Sequence, residues 1–347
     1  MKHTKRFACI LLVMMLVLTM FGCSSKANEE TAEKAEETVT EKAEEADTGE
    51  AEEEKKDETE ESDTAPDTSV TVTDMMGREV TLAAPAKRIV AVSAADCEIV
   101  YALGAGDLLV GRGEWCDYPQ EVFNVPSVES GGNTNEEQIL ALDPDLIVMS
   151  SMAQDQEQVK QFEEAGVAVC VSNAANIEET YTSIEMFGKL LGKTEEADTL
   201  IKSMKDQFDA IMQNKIEGEK TIYFEVSPLE WGLWAAGGNT FMNEIAEMMG
   251  LKNIFADQEG WIEVSEEQVI ERNPDYIVTI TMYMGEGPKP EEEIMSRKGW
   301  ENITAVKNAA IFNLPNNELS RPAPRLADGA KLLYDFIVGL DEVKEAA

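Results

Sequence analysis

EEQILALDPDLIVM (Glu136–Met149) returns 130 positions later as EEQVIERNPDYIVT (Glu266–Thr279). Each copy opens on two glutamates, runs through one or two turns of helix-forming residues, breaks at a Pro-Asp pair and enters an apolar run. A helix, a tight turn and a buried strand are therefore specified twice. Around each copy the same alternation continues. In the first half IVAVS, LLVGRG, LIVMS and VAVCVS read as strands separated by the helical stretches ADCEIVYALGAGD and QEQVKQFEEAG, the latter stopped by Gly166. In the second half TIYFEVS, IVTITMY and AAIFNLP are strands, with helices in NTFMNEIAEMMG and RLADGAKLLYDFIVGL. Alternating strands and helices predict an α/β fold of two Rossmann-like lobes built on parallel sheets, with a ligand cleft between the lobes. VTVTD followed by MMGREVTL predicts a hairpin at the front of the first lobe, turned at Gly77.

Between the halves lie about 40 residues of helical pattern. Leu200, Met204, Phe208, Ile211 and Met212 fall on one stripe, and the absence of Pro and Gly from Lys193 to Ile216 predicts one long rigid helix of about 36 Å joining the lobes. The expected organisation is a signal segment 1–22, an anchor and tether 23–69, an N-terminal lobe 70–192, a linking helix 193–217 and a C-terminal lobe 218–347.

The ends carry different information. Residues 1–22 have a basic start, an apolar run of about 15 residues and Gly22 before Cys23. That layout is an export signal, shorter than the roughly 20 residues a permanent span needs. MFGCSS resembles a bacterial lipoprotein processing site, which makes Cys23 the expected lipidated N-terminus; an ordinary secreted chain is the alternative. From Glu29 to Asp63 there are 18 acidic residues against four lysines, a composition that cannot bury a core and reads as an extended tether. The net charge of −39 argues against a phosphate-backbone partner, so nucleic acid is not expected.

Histidine and cysteine usage narrows the chemistry further. The one histidine, His3, lies in the signal segment, and Cys97, Cys116 and Cys170 have no metal-type spacing. His-dependent triads and His-ligated metal are thereby excluded. Asp143, Asp145 and Asp275 could serve an acid–base enzyme, but their place in turns before strands suits turn residues better. The chain is expected not to be an enzyme and to hold no metal or cofactor of its own. A surface adhesin or sensor is the other class left open.

Three blocks, TDMMGREVTLAAPAKRIVAVS, NEEQILALDPDLIVMS with its echo, and NELSRPAPRLADG, occur in an order that resembles the substrate-binding proteins of ABC importers for cobalamin, haem and ferric siderophores. The resemblance covers roughly Val70 to Leu340. It implies a monomeric receptor outside the cytoplasmic membrane, lipid-anchored at a cell surface or in a periplasm, that delivers its ligand to a permease dimer driven by cytoplasmic ATPases. It also implies that one exposed glutamate on each lobe pairs with permease arginines. Glu137 and Glu267 match those positions, while capping by Thr134 with Glu137 and by Ser265 with Gln268 accounts for part of the same pattern.

Four of the five tryptophans, Trp115, Trp231, Trp234 and Trp261, fall in loops expected at the carboxyl ends of strands. With Tyr118 they form a flat aromatic surface suited to a broad, rigid guest. The resemblance is closest to the cobalamin binders: it implies that Tyr118 in CDYP packs on a corrin and that Arg321 touches its periphery. The expected ligand is a cobalt corrinoid, with an iron chelate gripped by Arg112 and Arg321 as the alternative and haem less favoured. Arg325, after Pro324, reads as a brace of its own lobe. Cys116 reads as a packed free thiol, with cobalt ligation as the other reading.

Overall fold

The computed structural model describes residues 68–150, 156–283, 285, 287–314 and 316–345. The signal segment, Cys23 and nearly all of the acidic tether lie outside them. The described part opens with a hairpin, β1 (Val70–Thr73) and β2 (Glu79–Leu82), turned at Gly77, whose φ of 76° favours glycine. Buried Asp74 closes the turn by accepting from the Met76 and Arg78 amides.

The first sheet consists of β3 (Ile89–Ala91), β4 (Leu109–Gly113), β5 (Ser127–Val128), β6 (Leu146–Ser150) and β7 (Ala168–Ser172), with α1 (Ala94–Ala102), α2 (Glu136–Leu140) and α3 (Gln156–Glu164) between them. Its order is β5-β4-β3-β6-β7, all parallel. Ile89, Ala91, Leu146 and Val148 face one layer of the core, while Val90, Ile147 and Met149 face the other with Ile139 and Phe162. That two-sided burial is why the strands read as unbroken apolar runs.

Two helices cross to the second half, α4 (Ile177–Leu190) and α5 (Thr194–Met212). The chain turns between them at Gly192, with φ 64°. α5 ends four residues before the expected Ile216, which makes it about 28 Å long. Its buried face is Ala197, Ile201, Met204, Phe208 and Ile211, whereas Met212 is exposed. The predicted stripe is thus rotated slightly toward α4 and the C-terminal helix, on which α5 packs.

The second sheet holds β8 (Thr221–Ser227), β9 (Trp234–Ala236), β10 (Lys252–Asn253), β11 (Trp261–Glu263), β12 (Tyr276–Thr279) and β13 (Ile311–Asn313). Its helices are α6 (Phe241–Met248), α7 (Glu266–Arg272), α8 (Pro290–Ser296), α9 (Thr304–Lys307), α10 (Asn316–Ser320) and α11 (Leu326–Glu345). The order is β11-β9-β8-β12-β13, with β10 beside the start of β8. β8, β12 and β13 are parallel, but β9 and β11 are antiparallel additions, so this sheet is mixed rather than purely parallel. One apolar cluster continues from Ile89 and Leu146 through α5 to Ile222 and Tyr276. The two halves share a core.

The repeated segment folds the same way twice. Asp143 and Asn273 both take positive φ, 51° and 45°. Two residues on, Asp145 accepts from the Lys87 and Arg88 amides, and Asp275 from the Thr221 amide and hydroxyl. Each Pro-Asp carboxylate thereby satisfies the otherwise open N–H groups at the start of its neighbouring strand. These aspartates are structural, as their turn positions imply.

Candidate functional site

The aromatic surface of the second half is set by strand register. Trp234 lies opposite Glu263, and Trp261 opposite Ala236. Paired residues share a face and alternate residues return to it, so Trp234 and Trp261 stand on one side of the β9–β11 ribbon as diagonal neighbours. The Trp261 ring packs edge-on against Phe241, centroids 5.4 Å apart. Trp231, in a short 3-10 turn after β8, is 77% exposed. Beyond the ends of β8 and β12, a cavity of about 560 Å³ is walled by Leu229, Glu230, Met282, Tyr283 and Glu293. Met282 and Tyr283 are exposed, and the sequence reading passed over them because they follow a strand run without a break. The fifth tryptophan, Trp300, is fully buried and donates to Glu266 at 2.8 Å.

The loop after β4 supplies the first half's contribution. Arg112 is buried, its Nε donating to the Val122 carbonyl at 3.1 Å and its Nη1 to the Gly113 and Cys116 carbonyls at 3.2 and 3.1 Å, while its guanidinium lies over Phe123. It organises the loop from inside rather than facing a guest, which corrects its expected role. Cys116 is buried too, its thiol near the Ala91 and Ser93 carbonyls, so it is a packed core thiol. Between these anchors Trp115 and Tyr118 are pushed out, Trp115 to 63% exposure.

A charged cluster joins the halves. Glu98, on α1 and 1% exposed, accepts from Arg321 Nη1 at 2.8 Å and from Arg325 Nη2 and Nε at 2.6 and 2.9 Å. Arg321 also reaches Asp117 at 2.6 Å and the Trp115 carbonyl at 3.3 Å; Arg325 reaches Glu318 at 2.7 Å and stacks on Tyr118, 3.8 Å from the ring centroid. Asn317 donates to Asp117 at 2.7 Å. Partial burial works to raise the Asp117 carboxyl, but the Arg321 bond and charge outweigh it and hold it below the usual range. Arg325 braces both halves, not its own alone. Glu98 and Asp117 went unrecognised in the sequence because a lone acid in a helix or loop shows no partner 200 residues away.

Beside the cluster, Ser93, Asp96, Ser150, Ser172, Ser320 and Arg321 line a cavity of about 180 Å³ at the carboxyl ends of β3, β6 and β7. Asp96 is 1% exposed; Ser93 donates to its Oδ2 at 2.6 Å, while Oδ1 has no hydrogen-bond partner. Burial pushes its carboxyl up to about 6, against the pull of the Ser93 and Ser172 hydroxyls. A raised acid adds stability below its unfolded value of 3.8, and that contribution is lost as pH rises through 6. Asp96→Asn is therefore expected to stabilise the fold at pH 8 by on the order of 2–3 kcal/mol and to change it little at pH 3.5. Urea titrations at the two pH values measure this, and equal effects would contradict it.

Both aromatic groups connect to elements around this cavity. Arg321, one of its walls, contacts the Trp115 carbonyl, while Tyr118 lies against Arg325 and lines a separate cavity with Glu98 and Tyr101. Asn173 and Ala174 line the cavity on another side, next to Ala175, whose carbonyl accepts from the Phe241 amide at 2.9 Å, and Phe241 carries Trp261. The site is a polar centre lined from both halves of the chain and able to hold a guest. Among the described residues no group of three or more His, Cys, Asp or Glu could hold a metal.

Residues 89–318 match the periplasmic binding protein family. The chain belongs to that family. The binding protein is 36% identical over 275 residues, 77% of its own chain and 85% of the relative, to YvrC of Bacillus subtilis (strain 168), named as an uncharacterized ABC transporter substrate-binding lipoprotein. It is 27% identical, over 70% of its chain and 86% of the relative, to a vitamin B12-binding protein of Vibrio parahaemolyticus. A crystal structure of a possible iron-binding, periplasmic solute-binding protein from Staphylococcus epidermidis superposes with a TM-score of 0.62 at 32% identity, covering 73% of this chain and 98% of that one. The binding protein is thus a substrate-binding protein of an ABC importer, and not an enzyme; such a protein works with a permease and its ATPase. No helix among its described residues is long and apolar enough to cross a membrane.

Both echoed acids of the binding protein, Glu137 and Glu267, are exposed in the first turns of α2 and α7. The caps differ from expectation in one copy. Ser265 and Gln268 form the full capping box, but α2 starts at Glu136, so Asn135 and not Thr134 is its cap, accepting from the Gln138 amide, while the Thr134 hydroxyl donates to the Gly131 carbonyl at 2.7 Å. Capping is carried by neighbours in both copies, which leaves the glutamate carboxylates facing solvent.

Proposed function

We propose that the protein captures a cobalamin-like corrinoid outside the cell and delivers it to its permease, held to the membrane by a lipid on Cys23. The observation that carries this reading is the pairing of Trp234 and Trp261 on one face of a ribbon, with Trp261 packed on Phe241, whose amide donates to Ala175 beside the cavity that Arg321 lines. Rigid aromatic faces supply large apolar contact with little loss of side-chain entropy, which suits a broad macrocycle. Vitamin B12 binding by the Vibrio parahaemolyticus relative points the same way. Glu137 and Glu267 are the docking acids for the permease, and the receptor acts as a monomer.

The iron-chelate reading draws on the Staphylococcus epidermidis structure. Against it, the arginines that would grip an anionic chelate are engaged: Arg112 with carbonyls, Arg321 and Arg325 with three carboxylates. Haem fits less well, since the Cys116 thiol that could ligate iron is buried against the Ala91 and Ser93 carbonyls. Titration of tryptophan fluorescence with cyanocobalamin, hemin and a ferric hydroxamate tests the proposal. Saturable quenching by cyanocobalamin at micromolar concentration or below is expected; saturation by the hydroxamate alone would replace corrinoid with chelate.

A further inference from the structure

Resting on the corrinoid reading, we infer that the Asp96 cavity is a polar subsite that takes a carboxamide arm of the ligand and turns away a carboxylate. Three observations carry it. Asp96 Oδ1 is a buried acceptor with no partner, and such groups are rarely left open in a finished structure. Serines surround the acid, and Ser93 already donates to Asp96 Oδ2, Ser172 to the Met149 carbonyl and Ser183 to the Glu179 carbonyl, so Oδ1 is the group left to meet an entering N–H donor. The volume of about 180 Å³ equals roughly six waters at about 30 Å³ each, enough for a short amide arm and far too little for a macrocycle.

The charge balance fixes the sign of the selection. Arg321 forms one wall, but its Nη1 is taken by Glu98 and Asp117 and its Nη2 faces the Trp115 carbonyl. No free cation is left there among the described residues to welcome an anion. A carboxylate entering beside Asp96 would set two like charges together out of water, whereas an amide N–H donates to Oδ1. Peripheral carboxamides distinguish a corrinoid from haem, whose arms are carboxylates; Asp96 thereby acts on ligand class.

The test uses the full chain and two small probes, propionamide and propionate, read by saturation-transfer NMR. Propionamide is expected to contact the wild-type protein and to lose that contact in Asp96→Leu, while propionate gains contact only in Asp96→Asn. If Asp96→Leu does not fold, Asp96→Asn alone decides, through a fall of about tenfold in the propionamide-to-propionate preference. Propionate bound as well as propionamide by the wild type, no contact by either probe, or a preference unmoved in Asp96→Asn would overturn the assignment. In parallel, cyanocobalamin and its monocarboxylate are compared by fluorescence. A wild-type preference for the amide form that shrinks about tenfold in Asp96→Asn supports the subsite. Failure of cyanocobalamin to bind the wild type would remove the corrinoid reading, with the probe pair still deciding the cavity.

Discussion

Glu98→Gln lowers the stability of the fold by about 3 kcal/mol, because removing the charge leaves two arginines facing a neutral group in a site closed to water. Arg321 and Arg325 are each 13% exposed at the side chain and Glu98 1%, so solvent cannot take over. The loss falls toward the lower end of the range for a broken buried pair because Arg321 keeps Asp117 and Arg325 keeps Glu318. A urea titration of wild type and variant reads the effect as a drop in midpoint at constant slope. An unchanged midpoint would mean that the arginines are solvated and that the cluster adds nothing. The partners come from α1 on one side and the α10–α11 segment on the other, so the variant also loosens the contact between halves.

Charge reversal at both corners, Glu137→Arg with Glu267→Arg, abolishes uptake of labelled cyanocobalamin by cells while the purified protein still binds its ligand with unchanged affinity. The two acids sit at the same offset in a segment that folds twice, each exposed at the start of a helix. A pair of like sites suits a partner with two-fold symmetry. Exposed charges of this kind govern how fast and in what orientation a complex forms more than how tightly it holds, so each single variant slows uptake and raises its salt sensitivity, and the double variant stops it. Uptake at the wild-type rate by the double variant would dismiss these corners as the docking points.

Local patterns were readable in the sequence, and pairings across the chain were not. The Glu136–Met149 echo, the Gly77 hairpin and the apolar runs of β3, β6, β8 and β12 are fixed by neighbours within a few residues, and each folded as read. The purely parallel second sheet was misjudged: β9 and β11 have only three residues each, too short for periodicity to show, and their direction is set by pairing, β9 with β8 and β11 with β9. Thr134 looked like the better cap because its spacing to Glu137 fits a capping box; α2 starts at Glu136, so Asn135 takes that place, and the Thr134 hydroxyl donates to the Gly131 carbonyl. Arg112 was assigned to the ligand on charge and loop position, yet its donors face carbonyls that only the folded loop brings near. Glu98 and Asp96 differ in fate though two residues apart on one helix: Glu98 finds two arginines from the far end of the chain, while the Oδ1 of Asp96 finds none.

Because Trp234 and Trp261 stand on hydrogen-bonded strands rather than on a free loop, the gap between their Cα atoms is a fixed gauge. The Cα atoms that carry the rings cannot spread or pinch without breaking the β9–β11 ladder, so only side-chain rotation adjusts this side to a guest, and backbone adaptation is left to the Trp231 loop and the far side.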